Sequence, residues 1–286
     1  GLNQGVDFVG GRSYIVRFDK IVDPSEIERS ISNSLGSAEV KTFGEANQLK
    51  ITTKYMIDEE GTQIDNEIYQ KLFSSLSNFL PNNLTIDEFI NGSAVKTVGI
   101  MSSIKVGPTI ADDIKKNSYL AVIGSLIIVF IYILVRFRKW QFSAGAVAAV
   151  FHDVLIVLGI FSLSYNIMPF NMEINQAFIA AILTVIGYSL NDTVVVFDRI
   201  REYTRNNQNE NLSMTVNLAL NSTLSRTLNT SLTTLLVLFA IFLFGGESIR
   251  GFMFALIVGV IIGTYSSVFI ATPVMFDTQK KKFNEV

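Results

Sequence analysis

Residues 174–202, INQAFIAAILTVIGYSLNDTVVVFDRIRE, decide how the rest of the chain is read. The stretch is apolar enough to cross a bilayer up to Leu190, but Asn191 and Asp192 follow directly, ahead of a charged exit at Asp198, Arg199, Arg201 and Glu202. An ionised carboxylate at the centre of a membrane helix costs about 2.5–3.5 kcal/mol on insertion scales, so such a residue faces protein or water and has a task. Counting back from Asp198 at the boundary, Asp192 lies about 9 Å deep in a regular helix. Tyr188 and Ser189 precede it by four and three residues and share its face. Asn191 lies about 100° round the helix, on a face with Gly187 and Thr184.

Outward from this stretch, four more apolar runs are long enough to cross a hydrocarbon core of about 30 Å at about 1.5 Å per residue. The five expected spans are 118–135, 142–165, 175–197, 227–244 and 251–276, within a membrane domain of 113–278. One set of loops holds Arg136, Arg138, Lys139, Arg199, Arg201, Arg205 and Lys280 to Lys282, whereas the opposite set holds only Arg250. By the positive-inside rule the first set is cytoplasmic, which leaves 279–286 as a cytoplasmic tail. The polar segment 206–221, with Leu212, Met214, Val216, Leu218 and Leu220, reads as a short cytoplasmic or interfacial amphipathic helix.

The first part, 1–112, is then outside the membrane on the extracytoplasmic side. Gly10-Gly11 precede a strand at 13–18, and Asp23-Pro24-Ser25-Glu26 has the spacing of a helix start, with Asp23 as cap and Pro24 in the first turn. Strands are expected at 39–43 and 48–54, a helix at 65–80 and an extended region at 94–106. Strand, helix, strand, strand, helix, strand is the ferredoxin-like split arrangement, two helices on one face of an antiparallel sheet. The fold class is therefore an α-helical membrane protein with an N-terminal α+β domain. Acidic residues of that domain, Asp7 among them, read as solvated.

The 286 residues carry a net charge of −2, which points away from a nucleic-acid surface. They contain no cysteine and one histidine, so thiolate and histidine-rich metal centres are excluded within the chain. Neither a phosphate loop nor a nucleophile constellation is present, which argues against an enzyme. No cofactor is implied. The beginning Gly1-Leu2-Asn3 has no initiator methionine or leading apolar segment, so a longer natural chain is expected, with a route for the first domain across the membrane.

Arg226, Thr230, Thr233 and Thr234 in the fourth span form a polar stripe that starts with a cation at about the depth of Asp192. Arg226 is either the partner of Asp192 or an interfacial cation that snorkels. His152 and Asp153 follow a small-residue face in the second span. The histidine reads as a packed residue, and Asp153 as either a structural pair or a functional group. Gly259 and Gly263 form G-x-x-x-G, continued by Ser266 and Ser267, which permits close helix packing, as does Gly187.

Several of these motifs together carry a family resemblance. The run G-V-D-F-V-G-G (Gly5 to Gly11), V-G-P (Val106 to Pro108), H-D-V (His152 to Val154), G-Y-S-L-N-D-T-V-V-V-F-D-R-I-R-E (Gly187 to Glu202) and S-R-T-L-N-T-S-L-T-T (Ser225 to Thr234) resemble the SecF side of the SecD/SecF protein-export family, within the resistance-nodulation-division superfamily. The resemblance implies that Asp192 takes up and releases protons and that Arg226 works with it, with sodium as an open alternative ion. It further implies an additional transmembrane helix upstream of the glycine motif. The implied partners are SecD, separate or fused upstream, the SecYEG translocon and unfolded secretory polypeptides. The implied location is the bacterial cytoplasmic membrane. Two rivals are a proton-coupled exporter of hydrophobic or lipid-like small molecules and a non-transporting assembly subunit.

Overall fold

Two adjacent glycines set the start of the chain. Gly10 and Gly11 have φ of 70° and 149°, and a Cβ on Gly11 would lie 3.2 Å from the Thr53 carbonyl oxygen and 3.3 Å from Val6. Only glycine adopts that backbone so close to a neighbouring strand without strain. The pair ends a short helix, α1 (Val6–Val9), and opens β1 (Gly11–Arg17). The computed structural model describes the chain except residues 37, 60, 92–97, 166, 169, 208–210 and 285–286, together with the side chains of 247–248 and 280–284.

The Asp23 carboxylate accepts from the Ser25 amide at 2.8 Å, so α2 (Pro24–Leu35) begins at the cap its sequence specifies. β2 (Ala38–Phe43) and β3 (Glu45–Thr53) follow, turning at Gly44, so most of the expected 44–47 loop belongs to the strand. α3 (Thr62–Leu76) passes into a 3-10 turn at Ser77–Phe79. α4 (Ile86–Asn91) is an element that the polar run before it did not announce. It is held by a capping box in which Glu88 accepts from the Thr85 amide and hydroxyl, both at 2.9 Å. Those two bonds hold the Glu88 carboxyl below the usual range. β4 (Gly99–Val106) completes the sheet, and residues 94–97 of the expected extended region lie outside the described residues.

Strand order is β2-β3-β1-β4, antiparallel throughout, as the split βαβ arrangement requires. Alternation along β1 turns Tyr14 and Val16 towards Ile27, Ile31, Ile68 and Leu72 of the helices. The opposite face, with Ser13, Ile15, Lys50 and Ser102, looks across a cleft of ≈250 Å³ at Asn171, Glu173 and Phe252 of the membrane domain.

Pro108, in the first turn, starts α5 (Pro108–Phe137) straight from β4, ten residues before the expected span, because no linker separates strand from helix. α6 (Trp140–Ser164) and α7 (Gln176–Asn206) follow. α8 (Leu212–Phe244) corrects the expectation of a separate amphipathic segment at 206–221. Asn211 caps it at the Ser213 amide, and neither glycine nor proline interrupts the next 33 residues, so segment and span are one helix. α9 (Glu247–Ser266) runs through a π-helical turn (Ser267–Ala271) into α10 (Thr272–Asn284), so residues 279–284 of the expected tail continue the last helix.

Among the described residues five helices, with α9 to α10 counted as one, are long and apolar enough to cross a membrane. The apolar windows of α7 and of the last span are 44% and 50% buried, against 17% and 11% for α5 and α8, so α7 and α9 share the interior of the bundle. Gly259 and Gly263 of α9 lie directly on Val185 and Ser189 of α7, and a Cβ on Gly263 would stand 3.0 Å from that of Ser189. Gly187 faces open space, so it lies outside that packing surface.

The N-terminal domain is fastened to α7 and the loop before it. Gly5 donates to the Ile174 carbonyl at 3.0 Å, Ile174 donates to the Asn3 carbonyl at 2.7 Å, and Lys50 pairs with Glu173. Asp7, expected in solvent, accepts from the Gln176 amide at 3.0 Å, where an anion complements the first turn of a helix.

Gly259→Leu should therefore overpack the α7–α9 contact and cost about 1–3 kcal/mol, whereas Gly187→Leu should leave the chain's stability nearly unchanged. Thermal unfolding of the purified protein in detergent measures both.

Candidate functional site

Two carboxylates are buried within the helix bundle, Asp153 of α6 and Asp192 of α7, 1% and 3% exposed. Their surroundings differ. Asp153 Oδ2 accepts from Ser189 Oγ at 2.6 Å and Ser266 Oγ at 2.8 Å, while Oδ1 lies 3.2 Å from His152 Nδ1. Three helices thus converge on one charge, and hydroxyl donors and the imidazole offset its burial. The π-helical turn begins at the next residue after Ser266, and its Ser267 carbonyl accepts from the Thr272 hydroxyl at 3.1 Å. That bond satisfies an acceptor that the widened turn displaces from regular pairing.

Among the described residues Asp192 has one neutral contact, Ser231 Oγ of α8 at 3.4 Å. Ser231 in turn lies 2.6 Å from Thr264 Oγ1 of α9, and the Tyr188 hydroxyl sits 3.5 Å from both Ser231 and Thr234. The arrangement is a thinly solvated carboxylate at the meeting of α7, α8 and α9. A carboxylate that accepts only, once protonated, also donates, so a proton on Asp192 reverses what its hydroxyl neighbour must offer.

Of the residues singled out by sequence, the structure brings Tyr188, Thr234 and Asp192 together around Ser231, and Ser189, His152 and Asp153 around the second carboxylate. Asn191 is on the exposed face of α7. Thr230 and Thr233 are exposed and return their hydroxyls to carbonyls of their own helix, at 3.0 Å from Arg226 and 3.1 Å from Asn229. Neither a hydrogen bond nor an ion pair joins Arg226 to Asp192 among the described residues. Arg226 lines a groove with Asp198, Arg199, Glu202, Ser222 and Thr223 at the basic end of the bundle.

Sequence reasoning missed Ser231 and Ser266 as partners of the carboxylates, and Thr264 as the partner of Ser231. The inward face of α8 is Val216, Ala219, Thr223, Thr227 and Ser231, one residue round from the stripe that starts at Arg226. Three buried hydroxyls, Ser143, Thr193 and Thr227, make no hydrogen bond within the described residues. At the basic end, Asp198 pairs with Arg136 at 2.8 Å and Arg201 at 3.0 Å, and Arg199 with Glu202 at 2.8 Å.

The model of the protein-export membrane protein SecD/SecF C-terminal family matches residues 88–281, and the SecD/SecF GG motif matches residues 1–20. A protein translocase subunit SecF from Rhodothermus marinus is 43% identical over 283 residues, covering 98% of this chain and 85% of the relative. One from Petrotoga mobilis is 38% identical over 288 residues, covering 99% and 88%. The crystal structure of SecDF from Thermus thermophilus, a translocon-associated membrane protein, superimposes with a TM-score of 0.78 at 30% identity over 97% of this chain. The chain spans about a third, 34%, of that SecDF chain. A SecDF structure in a super-membrane-facing form gives a TM-score of 0.64 at 30% identity.

Asp153→Ala strips the acceptor from two buried hydroxyls and should destabilise the bundle by about 1–3 kcal/mol, the usual cost of orphaned buried polar groups. Asp153→Asn, which keeps a carbonyl acceptor, should recover most of that. Detergent-phase denaturation of the two variants beside the parent protein separates these outcomes.

Proposed function

The chain belongs to the SecD/SecF family of protein-export membrane proteins, on the SecF side, and from that premise we propose that it serves Sec-dependent export by coupling proton passage at Asp192 to movement of its outer domain. The observation that carries this reading is the contrast between the carboxylates. Among the described residues Asp153 is held by three side chains, whereas Asp192, almost as buried, has a single neutral contact at 3.4 Å. A group whose charge is so lightly stabilised changes its partners when it takes up or gives up a proton.

In this mechanism a proton arriving from the domain side neutralises Asp192. The new O–H competes for Ser231, whose oxygen is shared with Thr264 and Tyr188, so α8 and α9 resettle against α7. Since the first turn of α7 is bonded to Asp7 and the preceding loop to Asn3, Gly5 and Lys50, a shift of the helix is felt in the outer domain. One charge crossing about 100 mV supplies about 2.3 kcal/mol, enough to change a conformational ratio roughly fiftyfold. Arg226 provides the cation that biases the carboxylate from the basic end. The cycle runs in the bacterial cytoplasmic membrane, with the first domain in the periplasm, together with SecD and the SecYEG translocon, and acts on emerging unfolded polypeptide.

Asp192→Asn should abolish the part of export that depends on the proton gradient while leaving complex abundance unchanged. Reconstituted vesicles containing the complete SecD–SecF complex and translocon measure this, and undiminished gradient-dependent export would overturn the reading. Glu173→Gln, which breaks the pair with Lys50, should instead lower export per proton while proton flux persists. Parallel flux and export assays reveal that split.

A further inference from the structure

Asp192 lies inside the bundle and Arg226 lines the groove at its basic end, so a proton leaving the carboxylate has to cross the stretch between them. The inward face of α8 offers hydroxyls at Ser231, Thr227 and Thr223, spaced four residues apart and 3%, 2% and 6% exposed. Ser231 contacts Asp192, and Thr223 lines the groove of ≈440 Å³ with Val195, Asp198, Glu202 and Arg226. Thr227 stands between them, and its Oγ1 is unpartnered among the described residues.

That lack of a partner sets Thr227 apart on its helix. Thr215, Ser222, Thr223, Thr230, Thr233 and Thr234 all return their hydroxyls to a carbonyl of α8, the usual resting place for a helical threonine. A buried hydroxyl without protein partners is ordinarily satisfied by water. Four residues of helix separate successive hydroxyls by about 6 Å, close to the span of one water bonded on both sides at about 2.8 Å.

We propose that Ser231, Thr227 and Thr223 form a water-bridged ladder that carries the proton from Asp192 to the Arg226 groove, with Thr227 as its middle step. The transfer balances simply. The O–H bond of the Asp192 carboxyl breaks and a carboxylate remains. Each hydroxyl or water accepts a proton on one side and donates one on the other, and a proton emerges into the groove water. The Arg226 charge at the mouth opposes return of a cation into the ladder. This rests on Asp192 as the proton-carrying group, but the water path itself is testable without that premise.

The chain contains no cysteine, so single thiols can be read without background. In the complete SecD–SecF complex in sealed vesicles, Thr227→Cys should react with a small impermeant methanethiosulfonate added at the basic, cytoplasmic end. Leu228→Cys, on the exposed apolar face, should not. Thr227→Val, which keeps shape and removes the hydroxyl, should slow proton flux about tenfold, a barrier change of the size one lost relay step produces. Thr227→Ser should restore it, and Thr230→Val should match the parent. An unreactive Thr227→Cys together with full flux in Thr227→Val overturns the ladder and leaves the role of Asp192 standing. A reactive thiol with flux insensitive to Asp192→Asn supports the water path and removes the proton reading instead.

Discussion

The membrane half of this protein depends on keeping a carboxylate buried among its helices. Burial of Asp192 at 3% exposure is tolerable only if helices come close enough to supply oxygen atoms at hydrogen-bond range. Close approach requires small residues, and Gly259 and Gly263 of α9 lie on Val185 and Ser189 of α7 for this reason. The same approach brings Thr264 to Ser231 and Ser266 to Asp153. Packing and polarity are therefore one constraint: a side chain at Gly263 would push away the hydroxyls that make the charges affordable.

The two carboxylates divide the work. Asp153 joins α6, α7 and α9 through bonds of 2.6 and 2.8 Å and an imidazole, and a group so held fixes helices relative to one another. Ser189 links it to α7 only three residues before Asp192. Rotation of α7 at Asp192 is therefore resisted just beside the site where, on the proposed reading, charge changes. A rigid point next to a labile one converts a local change of hydrogen bonding into a directed displacement instead of a diffuse relaxation.

Much of this was legible in the sequence where a single physical rule acted alone. Apolar length gave the membrane helices, the D-P-S-E cap gave α2, and strand and helix order gave the split βαβ sheet. Asp192 stood out because a carboxylate in an apolar run has few bland explanations. The reading failed where several faces satisfied the same rule. On α8, hydroxyls at Ser222, Thr223, Ser225, Thr227, Thr230, Ser231, Thr233 and Thr234 occupy almost every direction, and the cation Arg226 drew attention to a stripe one residue round from the buried one. The apolar residues upstream held the better signal, since Val216 and Ala219 lie inward and the four-residue series from Thr223 continues their face. α4 was missed because its capping box is followed by only six helical residues, too few to show a period. Asp7 was read as solvated because its partner, the Gln176 amide, is distant in sequence.

That distant contact bears on how the two halves communicate. The glycine pair at 10 and 11 fixes the route of the chain between α1 and β1, which places Asp7 over the first turn of α7 and the Asn3 to Gly5 backbone against Ile174. β4 passes without a linker into α5, and Val6, Val106 and Ala111 pack where strand, helix and motif meet. The outer domain is thus attached to the bundle at two points, the head of α5 and the head of α7. α5 has little of its apolar surface buried, whereas α7 runs through the interior and carries Asp192. On the proposed reading, a displacement of α7 along or about its axis would move one attachment relative to the other and tilt the domain. The Lys50–Glu173 pair lies at the cleft between the open sheet face and residues 171–175.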